Sequence, residues 1–132
     1  MGNRIIPKIE PYNKIDVVSF VQMKLKGDDR WAKRACVAIH KQQTRLERIN
    51  HLSSGRDHWG FSRNDAPILS KIAGSINSNH KLSENDIRIL HLKMYRYARQ
   101  LICIICQSKI SKQILKNHLD IYYKKGQTKL PF

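Results

Sequence analysis

Apolar residues recur at intervals of three and four along almost the whole of this chain, and no convincing strict alternation appears. Spacing of that kind places side chains on one face of a helix, whereas strands need a period of two. Between residues 31 and 49, Trp31, Ala35, Ala38, Ile39, Leu46 and Ile49, with Gln42 in the same row, follow the helical period closely. The pattern predicts an all-α fold, a compact bundle of about five helices. A length of 132 residues with 41% hydrophobic content suits a single domain with one shared core.

Local signals set the expected boundaries. Residues 1–12 read as an extended basic arm, because Pro7 and Pro11 forbid a regular helix and Arg4 and Lys8 add charge. The helical domain is expected over 13–125 and a C-terminal tail over 126–132. A first helix is predicted from about Lys14 to Lys26, with Val17, Phe20, Val21 and Leu25 inward and Gly27 as its end. Asp28 or Asp29 caps a second helix reaching about Leu52. After the loop SSGRDHWGF, Ser62 or Asn64 caps a third helix to about Asn77, burying Leu69, Ile72, Ala73 and Ile76. Ser83 and Asp86 form a capping-box variant opening a fourth helix, whose stripe runs from Ile87 through Leu90, Met94, Tyr97, Ala98 and Leu101 to Ile105. A fifth is expected from Ser111 to Lys124, facing inward through Ile114, Leu115, His118 and Tyr122 and stopped by Gly126.

Charge narrows the partners. Twenty-five Lys and Arg against ten Asp and Glu give a net charge of +15. An excess of that size repels itself within a compact fold and is relieved by an anionic partner. A membrane is not the expected one: the longest apolar run, Leu101 to Cys106, falls far short of the ~18 residues of a spanning helix. The N-terminal stretch has no signal-peptide core, and Ile6 stands where myristoylation needs Ser or Thr. Cys36, Cys103 and Cys106 are an odd count that reads as reduced thiols, and the chain is expected in the cytoplasm, a host cytosol.

Nucleic acid is the expected partner, DNA ahead of RNA. Arg34, Lys41, Arg45 and Arg48 share one face of the second helix, and Arg88, Lys93, Arg96 and Arg99 cover much of the fourth. Cations one turn apart track phosphates and release counterions. Tyr95, Tyr97 and Trp59 are candidate stacking surfaces for unpaired bases.

Catalysis is the weaker expectation. Cys103-x-x-Cys106 lacks the second ligand pair of a zinc site and sits in the apolar run LICIIC, where cysteine acts as a small hydrophobe. The histidines show no ligand spacing, and the carboxylates are scattered. No catalytic residue, metal ligand or cofactor is assigned. One alternative is a small nuclease using Asp57 and His58. Another is a protein-binding inhibitor of a host defence or replication complex, its cations meeting an acidic partner.

Residues 31–101 also carry a specific pattern: Trp31, Ala32, Arg34 and Ala35, then Gly60, Phe61, Asp65 and Ala66, then Lys93, Met94, Tyr97, Ala98, Gln100 and Leu101. It resembles an uncharacterised helical domain of phage, plasmid and other mobile-element proteins, found alone or appended to DNA-processing proteins. His58 and Trp59 stand where that family commonly has Asn-Gly. The resemblance implies a DNA-associated context rather than a reaction. From the residues themselves, Gly60 permits a tight turn, Phe61 pins the loop, and Asp65 caps free amides at the next helix. Gln127, Leu130 and Phe132 fit Q-x-x-L-x-F, similar to the peptide that bacterial polymerases insert into the β sliding clamp. Together these predict a non-enzymatic, nucleic-acid-binding accessory protein of a phage or mobile element. It would act in replication, recombination or control of host machinery, with a tail that recruits it to the clamp.

Overall fold

The structure is a computed structural model that describes residues 6–49 and 60–127, with side chains described at 6–44 and 60–123. Its helices are α1 (Lys14–Gly27), α2 (Asp29–Ile49), α3 (Ala66–Asn77), α4 (Glu84–Lys93), α5 (Ala98–Ile105) and α6 (Lys109–Gln127). A 3-10 turn, Met94–Tyr97, joins α4 to α5. The described residues contain no strand, so the fold is all-α. Counting α4 and α5 as one interrupted rod, it is a bundle of five helices.

Each start has a local cause. Asn13 Oδ1 accepts from the Asp16 N–H at 2.8 Å and caps α1. Asp28 Oδ1 accepts from the N–H groups of Arg30 and Trp31 and caps α2. Ser83 Oγ accepts from the Asp86 N–H at 3.1 Å and caps α4, as its motif predicts. After α3 the chain turns at Asn79, whose φ of 59° is the left-handed conformation that Asn tolerates.

α1 is the central element. Val17, Val18, Phe20, Val21 and Leu25 are all buried, and α1 packs on α2, α4, the 3-10 turn and α5. Around it Ile39, Leu69, Leu90, Met94, Ile102 and Leu119 are fully buried. Each such side chain contributes about 1.5–3 kcal/mol by leaving water. Cys36 lies between α2 and α3, and its Sγ donates to the Leu69 carbonyl at 3.4 Å. Burial pushes that thiol up to about 12. Cys103 and Cys106 are half-buried at the end of α5, where burial first of all raises the Cys106 thiol.

Three expectations need correction. From residue 6 the N-terminal stretch is neither helical nor a loose basic arm, and it turns at residues 10–11, where the Tyr12 N–H donates to the Ile9 carbonyl at 2.8 Å. Ile6 and Ile9 are core residues at 2% exposure, and Lys8 pairs with Glu10. The Tyr12 hydroxyl donates to Asp120 Oδ1 on α6, and its ring stacks on Tyr123, so the stretch straps α1 to α6. That bond to the Asp120 carboxylate is the main reason the Tyr12 phenol is raised to about 12. Arg4 lies outside the described residues.

The fourth helix is interrupted. In a 3-10 turn residues three apart eclipse one another, and this one turns both Met94 and Tyr97 inward. The last helix, finally, faces inward through Leu115 and Leu119, while Ile114 is 51% exposed and His118 and Tyr122 are also exposed. Rows 114–118–122 and 115–119–123 run side by side one residue apart, so periodicity alone does not say which row faces in. Nor does Gly126 stop this helix, which continues through Gln127.

Candidate nucleic-acid interface

Five of the basic residues singled out by sequence stand clear of the core. On α2, Arg34 and Lys41 are exposed, and Arg30, which sequence reasoning missed, is exposed beside them. Positions 30, 34 and 41 fall within about 40° of one another around the helix axis. The missed signal was the four-residue step from Arg30 to Arg34. Positions 45 and 48 continue the same row along the α2 backbone; the side chains of Arg45 and Arg48 lie outside the described residues. Arg88 on α4, Arg96 on the 3-10 turn and Arg99 on α5 are exposed as well. The 3-10 turn breaks the register between them, so they do not form the single row that an unbroken helix would give.

Lys93 departs from expectation. Its Nζ donates to Asp65 Oδ1 at 3.0 Å, with the lysine side chain 33% exposed and the aspartate 4%. The pair holds the loop before α3 against the α4–α5 rod, so this lysine is not free for a phosphate. Two of the three expected stacking residues are taken up as well. Tyr97 is buried, one face of Tyr95 is covered by the Lys26 ammonium 4.5 Å from the ring centroid, and Trp59 lies outside the described residues.

Residues 60–65 and 93–100, which carry the family-like pattern, meet in one buried polar network. Tyr97 Oη donates to Asp65 Oδ2 at 2.7 Å and accepts from the Ser62 N–H at 3.0 Å. The Gly60 N–H donates to Gln100 Oε1 at 2.5 Å, and Gln100 Nε2 returns a bond to the Gly60 carbonyl. The Phe61 N–H donates to Gln43 Oε1 at 2.9 Å, while its ring packs edge-on to Tyr97 and stacks on His40. Asp65 therefore does not cap α3 with its side chain, as expected; Ser62 Oγ accepts from the Asp65 N–H instead. Burial raises the Asp65 carboxyl, but the Tyr97, Lys93 and Ser62 contacts outweigh it and hold it below its ordinary 3.8. These bonds tie Gly60, Phe61, Ser62 and Asp65 to Gln43, Lys93, Tyr97 and Gln100, so the motif residues fix a loop.

The described carboxylates are engaged elsewhere. Asp16, Asp28, Asp29, Glu84 and Asp86 sit at helix starts, where the macrodipole favours them. Glu10, Asp65 and Asp120 hold Lys8, Lys93 and Lys116. Asp29 also meets His91 Nε2 at 2.6 Å, and His91 Nδ1 lies 3.0 Å from the Leu25 carbonyl, tying α4 to the α1–α2 junction. Among the described residues, no carboxylate pairs with Arg30, Arg34, Lys41, Arg88, Arg96 or Arg99.

Arg30 and Arg34 also stand at the rim of a groove of about 620 Å³ between α2, α5 and α6. Lys24 completes the cationic rim, and the floor is aliphatic, from Ala35 and Ala38 to Leu101, Ile104 and Ile114. None of Arg88, Arg96 or Arg99 lines it. On the α2 side, Ala35 and Ala38 contribute only methyl groups to its lining.

Among the described residues, no three His, Cys, Asp or Glu side chains gather as metal ligands, and no helix is long and apolar enough to cross a membrane. Asp57 and His58 lie outside the described residues, as do Leu130 and Phe132; Gln127 is the last residue of α6. No family model, no curated protein and no solved structure matches this chain.

Proposed function

We propose that this chain is a nucleic-acid-binding accessory protein of a phage or other mobile element, acting in DNA replication, recombination or control of host machinery. The observation that carries the reading is the row Arg30, Arg34 and Lys41, exposed on α2 without a described carboxylate on it. A protein that engages its acids at helix starts and leaves such a row open is suited to phosphate contact, with positions 45 and 48 continuing it along α2 and Arg88, Arg96 and Arg99 adding exposed cations elsewhere. Tyr97 is buried and Tyr95 carries the Lys26 ammonium on one face, which favours phosphate contact over base stacking, and so duplex DNA over single strands.

The test is fluorescence anisotropy with duplex DNA, single-stranded DNA and duplex RNA across a salt series. If the α2 row neutralises three phosphates, affinity falls roughly 40-fold between 50 and 200 mM salt. Charge reversal at Arg30, Arg34 and Lys41 together lowers the logarithmic salt slope by about three. Salt-independent affinity, or no binding to any of the three, overturns the reading.

The clamp element of the proposal rests on Gln127, Leu130 and Phe132. Because Gln127 ends α6, an extended peptide beginning there requires the last turn to unwind at Gly126, where glycine makes helix about 1 kcal/mol less favourable than alanine. Removal of residues 128–132 then abolishes a complex with purified β clamp and leaves DNA affinity unchanged. A clamp complex that survives the truncation removes this element alone.

A further inference from the structure

We infer that the groove between α2, α5 and α6 is a docking site for an acidic, aliphatic helix of a protein partner. The chemistry of the walls selects the occupant. An aliphatic floor of Ala38, Leu101, Ile104 and Ile114 gains by covering leucine-like side chains, and it offers no flat ring to a base. Trp31, the one aromatic wall besides His118, is taken up by edge-on contacts with Phe20 and His118. Ile114 is 51% exposed, although it points into the groove region from α6.

The rim supplies the charge. Lys24, Arg30 and Arg34 face carboxylates flanking the apolar stripe of a bound helix. Asp28, also at the rim, accepts from the α2 amides of Arg30 and Trp31, so the helix start offsets its charge. A groove with an apolar floor and a charged border is how an amphipathic helix is read. This site is distinct from the phosphate-contacting row but shares Arg30 and Arg34 with it. An acidic partner and DNA therefore compete, which gives the partner a way to release the protein from nucleic acid.

The experiment uses the full chain and labelled synthetic helices at about 150 mM salt. One peptide has leucine on one face and glutamate elsewhere; a second replaces glutamate with lysine; a third replaces leucine with serine. The leucine–glutamate peptide binds, and the other two bind at least about tenfold more weakly. Ala38→Phe, which fills the groove, and Ile114→Glu, at an exposed position, each weaken it by about tenfold or more with unchanged circular dichroism. Ala38→Phe leaves DNA affinity unchanged, so failure here is separable from failure of the nucleic-acid reading; Lys71→Glu, on α3, controls for charge alone. Three results overturn the inference: equal binding of the serine–glutamate peptide, full affinity in both groove variants, or binding only after residues 128–132 are removed. The last would mean that the chain's own tail fills the groove.

Discussion

Asp65→Ala is expected to destabilise the fold by about 2–4 kcal/mol. The aspartate side chain is 4% exposed and accepts from the Lys93 ammonium and the Tyr97 hydroxyl. Removing it leaves the one-third exposed ammonium without its acceptor and the buried phenol with only Ser62 Oγ, at 3.4 Å. The open side of Lys93 is why the estimate sits below that for a fully enclosed pair. Urea denaturation at neutral pH measures the loss; a change under about 0.5 kcal/mol would mean that the network adds nothing net. The pH dependence follows from the same contacts. The folded carboxyl titrates below 3.8, so its stabilisation is present above the unfolded pKa and is lost as pH falls through the folded one. Stability therefore drops below about pH 4 in the native chain, and Asp65→Asn lacks that component.

Gly60→Ala is expected to cost a comparable amount, about 2–4 kcal/mol, by a different route. Gly60 has a φ of 89°, and a Cβ there would lie 2.6 Å from Gln43 Cβ and 2.8 Å from its Cγ. Gln43 has little freedom to retreat, because its Oε1 holds the Phe61 N–H. In a chain of this length the loss is a fall in Tm of roughly 10 °C. A double-mutant cycle separates the causes: Gln43→Gly removes the Cβ and Cγ that the new methyl meets but not the left-handed backbone, so the pair costs less than the sum of the singles. Additive costs would show that the contact with Gln43 is irrelevant.

Much of the architecture is legible from the chain. The α1 stripe, the Asp28 and Ser83 caps and the buried face of α3 follow from spacing and side-chain chemistry. What periodicity missed has physical reasons. The Met94–Tyr97 turn preserves the inward spacing of its neighbours, so a sequence pattern passes through it without a mark. On α6, Leu115 faces inward as expected but Ile114 lines the groove, and the neighbouring row through Leu119 takes the core. At the candidate interface, the α2 row could be read from offsets alone. Lys93 could not, because its partner Asp65 is 28 residues away and only the fold brings them together. The groove was invisible for a related reason: its lining comes from α2, α5 and α6, which only the fold brings together.

Cys36 turns the centre of this architecture into a clock. Its thiol is fully buried, bonded to the Leu69 carbonyl and raised to about 12, so at neutral pH almost none of it is the reactive thiolate. A disulfide reagent therefore reaches Cys36 only when α2 and α3 part, while the half-buried Cys103 and Cys106 report on the end of α5. Since the Asp65 network anchors the start of α3, the Cys36 exchange rate reads the strength of that anchor from inside the molecule. No foreign label is needed.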